Sequence, residues 1–169
     1  AKFDQWMAEK AEEAGAEIAT GFVVDELIVQ DGKVIGINAD GEEMYADVVI
    51  LADGVNSLLA QQIGMKKELE PHQVAVGAKE TIRLSEDVIN QRFGLTQGEG
   101  MAWLSAGDPT AGGFGGGFLY TNKDTISIGV VATLSDIGHS ELSVPQMLER
   151  FKAHPSIAPY LEDGELIEY

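Results

Sequence analysis

The run Val48-Val49-Ile50-Leu51-Ala52, stopped by Asp53-Gly54, constrains this chain more than any other segment. Five apolar residues in succession leave no polar side for solvent, so the segment reads as a strand covered on both faces. Strands of that kind belong to open α/β sheets, whose carboxyl ends meet bound ligands. Small residues at Ala52 and Gly54 allow a ligand to approach the backbone closely. Asp-Gly is equally at home in a plain strand-to-helix turn, so the pair by itself leaves both readings open.

The surroundings of that run are patterned. Phe3, Trp6, Met7, Ala11 and Ala14 recur at helical spacing over residues 2–14, and Gly15 is a natural stop. Phe22 to Val29 is rich in β-formers. Asp31-Gly32 and Asp40-Gly41 predict tight hairpins leading to Val34–Ile37 and Glu42–Tyr45. After Ser57, residues 58–63 read as a short helix and 64–71 as a crossover. A second region starts near Val74, with strands expected at 74–84, 101–105, 117–120, 125–131 and 165–169. Ser85 caps an expected helix through Phe93, and Ser143 with Pro145 opens another that ends at His154-Pro155. Residues 157–161 read as a turn. The expected fold class is therefore α+β, derived from an α/β layout. Residues 1–72 form a partial nucleotide-binding lobe, and 73–169 a mixed lobe on a largely antiparallel sheet.

Composition removes several function classes. With no cysteine among 169 residues, disulfides, thiolate chemistry and cysteine-ligated clusters are excluded within the segment. His72, His139 and His154 lack metal-ligand spacing. A formal net charge of −17 argues against nucleic acid and against an anionic membrane surface as partners. It fits a solvated acidic surface or a docking face for a basic partner. No stretch approaches the roughly 20 apolar residues of a membrane span. The chain opens at Ala1 with a helical pattern rather than a signal peptide, which points to a processed or excised piece and a cytoplasmic setting.

Glycine is abundant, with 20 residues, and five of them surround one aromatic in Gly112-Gly113-Phe114-Gly115-Gly116-Gly117. Such a tract fits a flexible hairpin, or a bare backbone against which a flat ligand lies while Phe114 stacks on it. Lys79, in Gly77-Ala78-Lys79-Glu80, fits a surface ion pair or a cation beside a ligand that becomes negative.

The order helix, meander, Ala46-Asp47-Val48-Val49-Ile50-Leu51-Ala52-Asp53-Gly54-Val55-Asn56-Ser57 resembles FAD-dependent oxidoreductases with a glutathione-reductase-like or hydroxylase-like cofactor domain. The resemblance implies that Ala52, Asp53 and Gly54 lie beside FAD and that Val24 rests against the adenine, although Val24 read alone is equally a core residue. Three later landmarks resemble the electron transfer flavoprotein–quinone oxidoreductase family, most closely its FixC branch. They are Gly115–Tyr120, Ile128–Val131 and the element Phe151-Lys152-Ala153-His154-Pro155-Ser156-Ile157-Ala158-Pro159. The resemblance implies that Gly115 and Gly116 offer backbone hydrogen bonds to a quinone, with Phe114 at the neighbouring aromatic position. The family often has Tyr where Phe114 stands.

What the resemblance implies for function is electron transfer from electron transfer flavoprotein subunits to quinone or to a ferredoxin-like protein. The parent would carry FAD and associate at most peripherally with the inner face of a membrane. A geranylgeranyl-reductase-like flavoprotein and a non-catalytic acidic binding module remain as alternatives. No Gly-x-Gly-x-x-Gly turn follows a strand here, so the pyrophosphate loop of such proteins is missing. The segment is then expected to be a central fragment that binds FAD weakly or not at all alone.

Overall fold

The computed structural model describes residues 2–169; Ala1, the expected first residue of the first lobe, lies outside them. The fold is α+β, as expected, and every strand pair is antiparallel. The chain divides into two compact units, residues 1–68 and 69–169.

In the first unit, α1 (Lys2–Glu13) forms where the apolar spacing places it, yet none of its residues is buried. Phe3 and Trp6 lie against each other, with ring centroids 5.8 Å apart, and remain exposed. A meander follows: β1 (Val24–Gln30), β2 (Lys33–Ala39) and β3 (Glu42–Tyr45). Its two turns need positive φ at both central residues, which Asp31 (52°) with Gly32 (76°) and Asp40 (51°) with Gly41 (86°) supply. Gly36 is fixed by close approach, since a Cβ there would lie 2.1 Å from Met44 O.

The expected strand at Val48–Ala52 does not form. Residues 46–53 join no ladder, and Val48 and Ile50 are 74% and 86% exposed. A doubly covered strand needs neighbours at its edges and layers on its faces. Among the described residues none takes up those places, so the apolar demand is unmet. The chain then turns through Asp53-Gly54 into α2 (Leu58–Gln62).

The second unit is a five-stranded sheet in the order β5-β6-β7-β4-β8. Its strands are β4 (Ala75–Arg83), β5 (Ala102–Ser105), β6 (Gly115–Thr121), β7 (Thr125–Thr133) and β8 (Glu165–Glu168). One face carries Leu119, Ile128, Val130, Ile126 and Ile82, all buried against α3 (Glu86–Phe93) and α5 (Val144–Lys152) through Ile89, Phe93, Met147, Leu148 and Phe151. Helix α3 is bounded as its sequence predicts: Ser85 Oγ accepts from Val88 N at 3.4 Å, and Gly94 closes it at φ 65°. Residues 157–161, read as a turn, contain the helical turn α6 (Ala158–Leu161), and a further short turn α4 (Leu134–Ile137) follows β7. The aromatic rings of Phe93, Trp103 and Tyr160 lock this end, with centroids 4.7–5.2 Å apart.

The sheet's other face is open. By register it presents Leu104, Phe118, Gly116, Val131, Gly77 and Lys79. The glycine tract contributes to this face as paired strand rather than as a flexible hairpin: Gly115, Gly116 and Gly117 face Ala132, Val131 and Val130 on β7. Close packing demands these glycines. A Cβ on Gly115 would lie 2.0 Å from Val131 O, on Gly116 2.3 Å from Ser105 O, and on Gly117 2.6 Å from the Phe151 ring.

Candidate functional site

A cleft of about 740 Å³ opens in the first unit, walled by Val23–Asp25, Ile37, Val49–Asp53, Asn56, Leu58, Leu59 and Gln62. Three of the four residues assigned to a cofactor from the sequence, Val24, Ala52 and Asp53, line it together. Gly54 does not line it; it sits in the adjoining turn at φ 79°. The wall is aliphatic, with few polar groups at its rim, the composition that suits a flat heteroaromatic ring.

The turn at the cleft's end is held by its own side chains. Asp53 Oδ2 accepts from Leu59 N at 3.3 Å and so caps α2, and the Ser57 hydroxyl donates to Gly54 O at 2.8 Å. Gln62 Nε2 donates to Asp25 O at 3.0 Å, tying α2 to β1 across the cleft. These bonds set the spacing of the two walls. Asp25, Asn56 and Gln62 escaped the sequence reading because single polar residues of this kind carry no pattern until the chain folds.

In the second unit, Gly115, Gly116, Gly117, Phe118, Val131, Leu104, Ser105 and Ala106 bound a cleft of about 360 Å³ on the open sheet face. Phe114 does not line it but immediately precedes Gly115, and the residue is 80% exposed. Phe114 N donates to Asp136 Oδ2 at 2.6 Å. That bond, with one from the Thr133 side chain and the charge of His139, outweighs burial and holds the Asp136 carboxyl below the usual aspartate value.

Lys79 lies on the same open face as Gly116 and is exposed; no ion pair involves it among the described residues. The ion pair of this strand belongs to its neighbour. Glu80, 2% exposed, faces the core, with Oε2 2.7 Å from Lys152 Nζ in an orientation poor for a hydrogen bond. Burial pulls the Lys152 ammonium down, but Glu149 and Glu80 together hold its pKa above the ordinary value. On the exposed side of α5, the Arg150 guanidinium bound to Asp108 depresses that carboxyl. No cluster of His, Asp and Glu able to hold a metal occurs among the described residues. None of the described helices is long and apolar enough to cross a membrane.

A family model described as ETF-QO, ubiquinone-binding, matches residues 74–169. The chain is 54% identical over 168 residues to Protein FixC of Escherichia coli strain K12, covering 99% of this chain and 39% of that protein. It is 52% identical over 168 residues to a protein of the same strain named probable electron transfer flavoprotein-quinone oxidoreductase YdiS, with the same coverage. The chain thus spans about two fifths of the length of these relatives. Among solved structures, the flavin-dependent brominase Bmp2 superposes with a TM-score of 0.74 at 16% identity, over 99% of this chain and 41% of its own. A geranylgeranyl bacteriochlorophyll reductase-like protein of Thermoplasma acidophilum gives 0.73 at 23% identity, over 99% of this chain and 40% of its own. At those identities the two structures speak for the fold alone.

Proposed function

The chain belongs to the ETF-QO ubiquinone-binding family, and on that premise we propose that it forms part of an FAD-dependent oxidoreductase passing electrons from an electron transfer flavoprotein to quinone. The observation that carries the reading is the meeting of Val24 with Ala52 and Asp53 on one aliphatic cleft.

The residues present suit the cofactor. Val24, Ile37 and Leu51 offer apolar area to the adenine, and the small Ala52 admits a ligand to van der Waals contact with the backbone. Asp53 and Gly54 hold the turn that ends this wall. When bound, FAD supplies the redox chemistry, and the chain's part is to orient it. Val48 and Ile50, exposed here, suit a strand that further sheet layers cover in a polypeptide of the relatives' length.

In the second unit, the open sheet face is the proposed acceptor side. Phe114, Gly115 and Gly116 provide an aromatic edge and close backbone for a quinone ring, and Lys79 stands on that face as a cation toward a reduced, negatively charged ligand. A ferredoxin-like protein is the other acceptor of this reading. Because quinones are lipid-soluble, the reading includes peripheral contact of the whole protein with the inner face of a membrane. Leu104, Val131 and the neighbouring Phe114 are exposed apolar residues at that cleft.

The test grafts this chain in place of the matching 168 residues of YdiS. The graft is expected to oxidise reduced electron transfer flavoprotein in a quinone-dependent manner. A graft that carries flavin yet reduces only prenyl double bonds overturns the reading in favour of a prenyl reductase.

A further inference from the structure

Phe114 combines two properties that seldom occur together. The residue is 80% exposed, yet its backbone is held on both sides. Thr133 N donates to Phe114 O at 3.0 Å, one half of an antiparallel pair. The other half is closed by a side chain: Phe114 N donates to Asp136 Oδ2 at 2.6 Å. A bond from N–H to a carboxylate is about twice as strong as one between neutral groups.

The segment entering Phe114 is fixed as firmly. Thr110 is buried, with its hydroxyl 2.6 Å from Gly113 O and 3.3 Å from Gly107 O. Arg150 of α5 grips Asp108 at the loop's other end. Ala111 (φ 53°) and Gly112 (φ 89°) hold left-handed backbone, and a Cβ on Gly113 would sit 3.1 Å from Asp136 Cβ. Ordering a loop costs conformational entropy, and an exposed ring recovers none of it by burial. A pinned, bare aromatic beside a cleft is what preorganisation for a ligand requires.

We propose that Asp136 is the positioning residue of the quinone cleft: through the Phe114 N–H it fixes the ring and the Gly115-Gly116 backbone at the mouth. A benzoquinone-class ring then meets a formed edge rather than a loop it must first order. This rests on the quinone reading above. Asp136 contacts no ligand in this account; it acts through Phe114.

The test titrates the chain with a short-tailed, water-soluble ubiquinone analogue and follows backbone amide and methyl NMR signals, in the unaltered chain and in Asp136→Ala and Asp136→Asn. The unaltered chain should show shifts at Gly115 and Gly116. Asp136→Ala should bind about tenfold more weakly, a factor typical of lost preorganisation and hydrogen bonding. Asp136→Asn, which keeps an acceptor oxygen, should recover most of the affinity. The methyl signals of Ile126 and Leu148 should stay in place in both variants. Equal affinity in all three proteins overturns the positioning role while leaving the quinone reading intact. Core signals that move along with the lost affinity overturn it in favour of a merely structural bond. An unaltered chain that binds no quinone overturns the quinone reading and this inference with it.

Discussion

Two apolar segments of this chain meet opposite fates. Ile126, Ile128 and Val130 of β7 lie fully buried between β4 and β6, under α5. Val48 and Ile50, in a run at least as apolar, stay bare and make no ladder. The second unit holds a fourteen-residue buried cluster. In the first, Leu27, Ala39 and Ala60 are the buried apolar residues among those described. An apolar run states a demand for burial, and only partners elsewhere in a fold can meet it. The demand goes unmet in the first unit, around the cleft proposed for a dinucleotide.

Substitutions can break this contrast. Leu148→Ala, at a fully buried position of α5, should cost about 2–5 kcal/mol in chemical denaturation of the second unit. Gly117→Ala forces a methyl against the Phe151 ring and should cost about 1–3 kcal/mol by overpacking; a neutral result would show that the ring yields freely. Ser85→Ala removes the cap of α3 and should cost about 0.5–2 kcal/mol. Ile50→Ser should change stability by less than about 0.5 kcal/mol, as an exposed site does, and should improve solubility. A large loss there would mean that Val48–Ala52 is buried after all.

Lys152, held by Glu149 and Glu80, adds a pH dependence to the second unit. Lys152 has a raised folded-state pKa, so its contribution is complete below the unfolded lysine value of about 10.4 and fades as pH rises through the folded one. Denaturation midpoints should therefore fall on the alkaline side of that value, and Lys152→Met should remove that dependence. Midpoints that stay flat across the window would show that the ionisation of Lys152 does not couple to folding.

Much of this was readable from local chemistry. The Asp-Gly hairpins follow from the positive φ that their turns need, and Ser85 and Gly94 bound α3 as caps do. Val48–Ala52 was misread because a strand is defined by neighbours that a local pattern does not contain. The flexible-hairpin reading of the glycine tract fails for a related reason: Gly115 and Gly117 answer to a carbonyl and a ring that lie far along the chain. Family resemblance named Val24, Ala52 and Asp53, and the fold brings these three to one cleft. Asp136 was not legible, because its meaning comes from a bond to a residue 22 positions away and aspartate after a strand is otherwise unremarked.

The central claim is that Val24, Ala52 and Asp53 form one wall of a flavin site, and flavin content measures it most directly. The graft into YdiS, purified from cells, should carry stoichiometric flavin by its visible absorbance. Ala52→Trp in that graft should fill the cleft and yield a folded but colourless protein. A folded Ala52→Trp graft that keeps its full flavin would contradict the account.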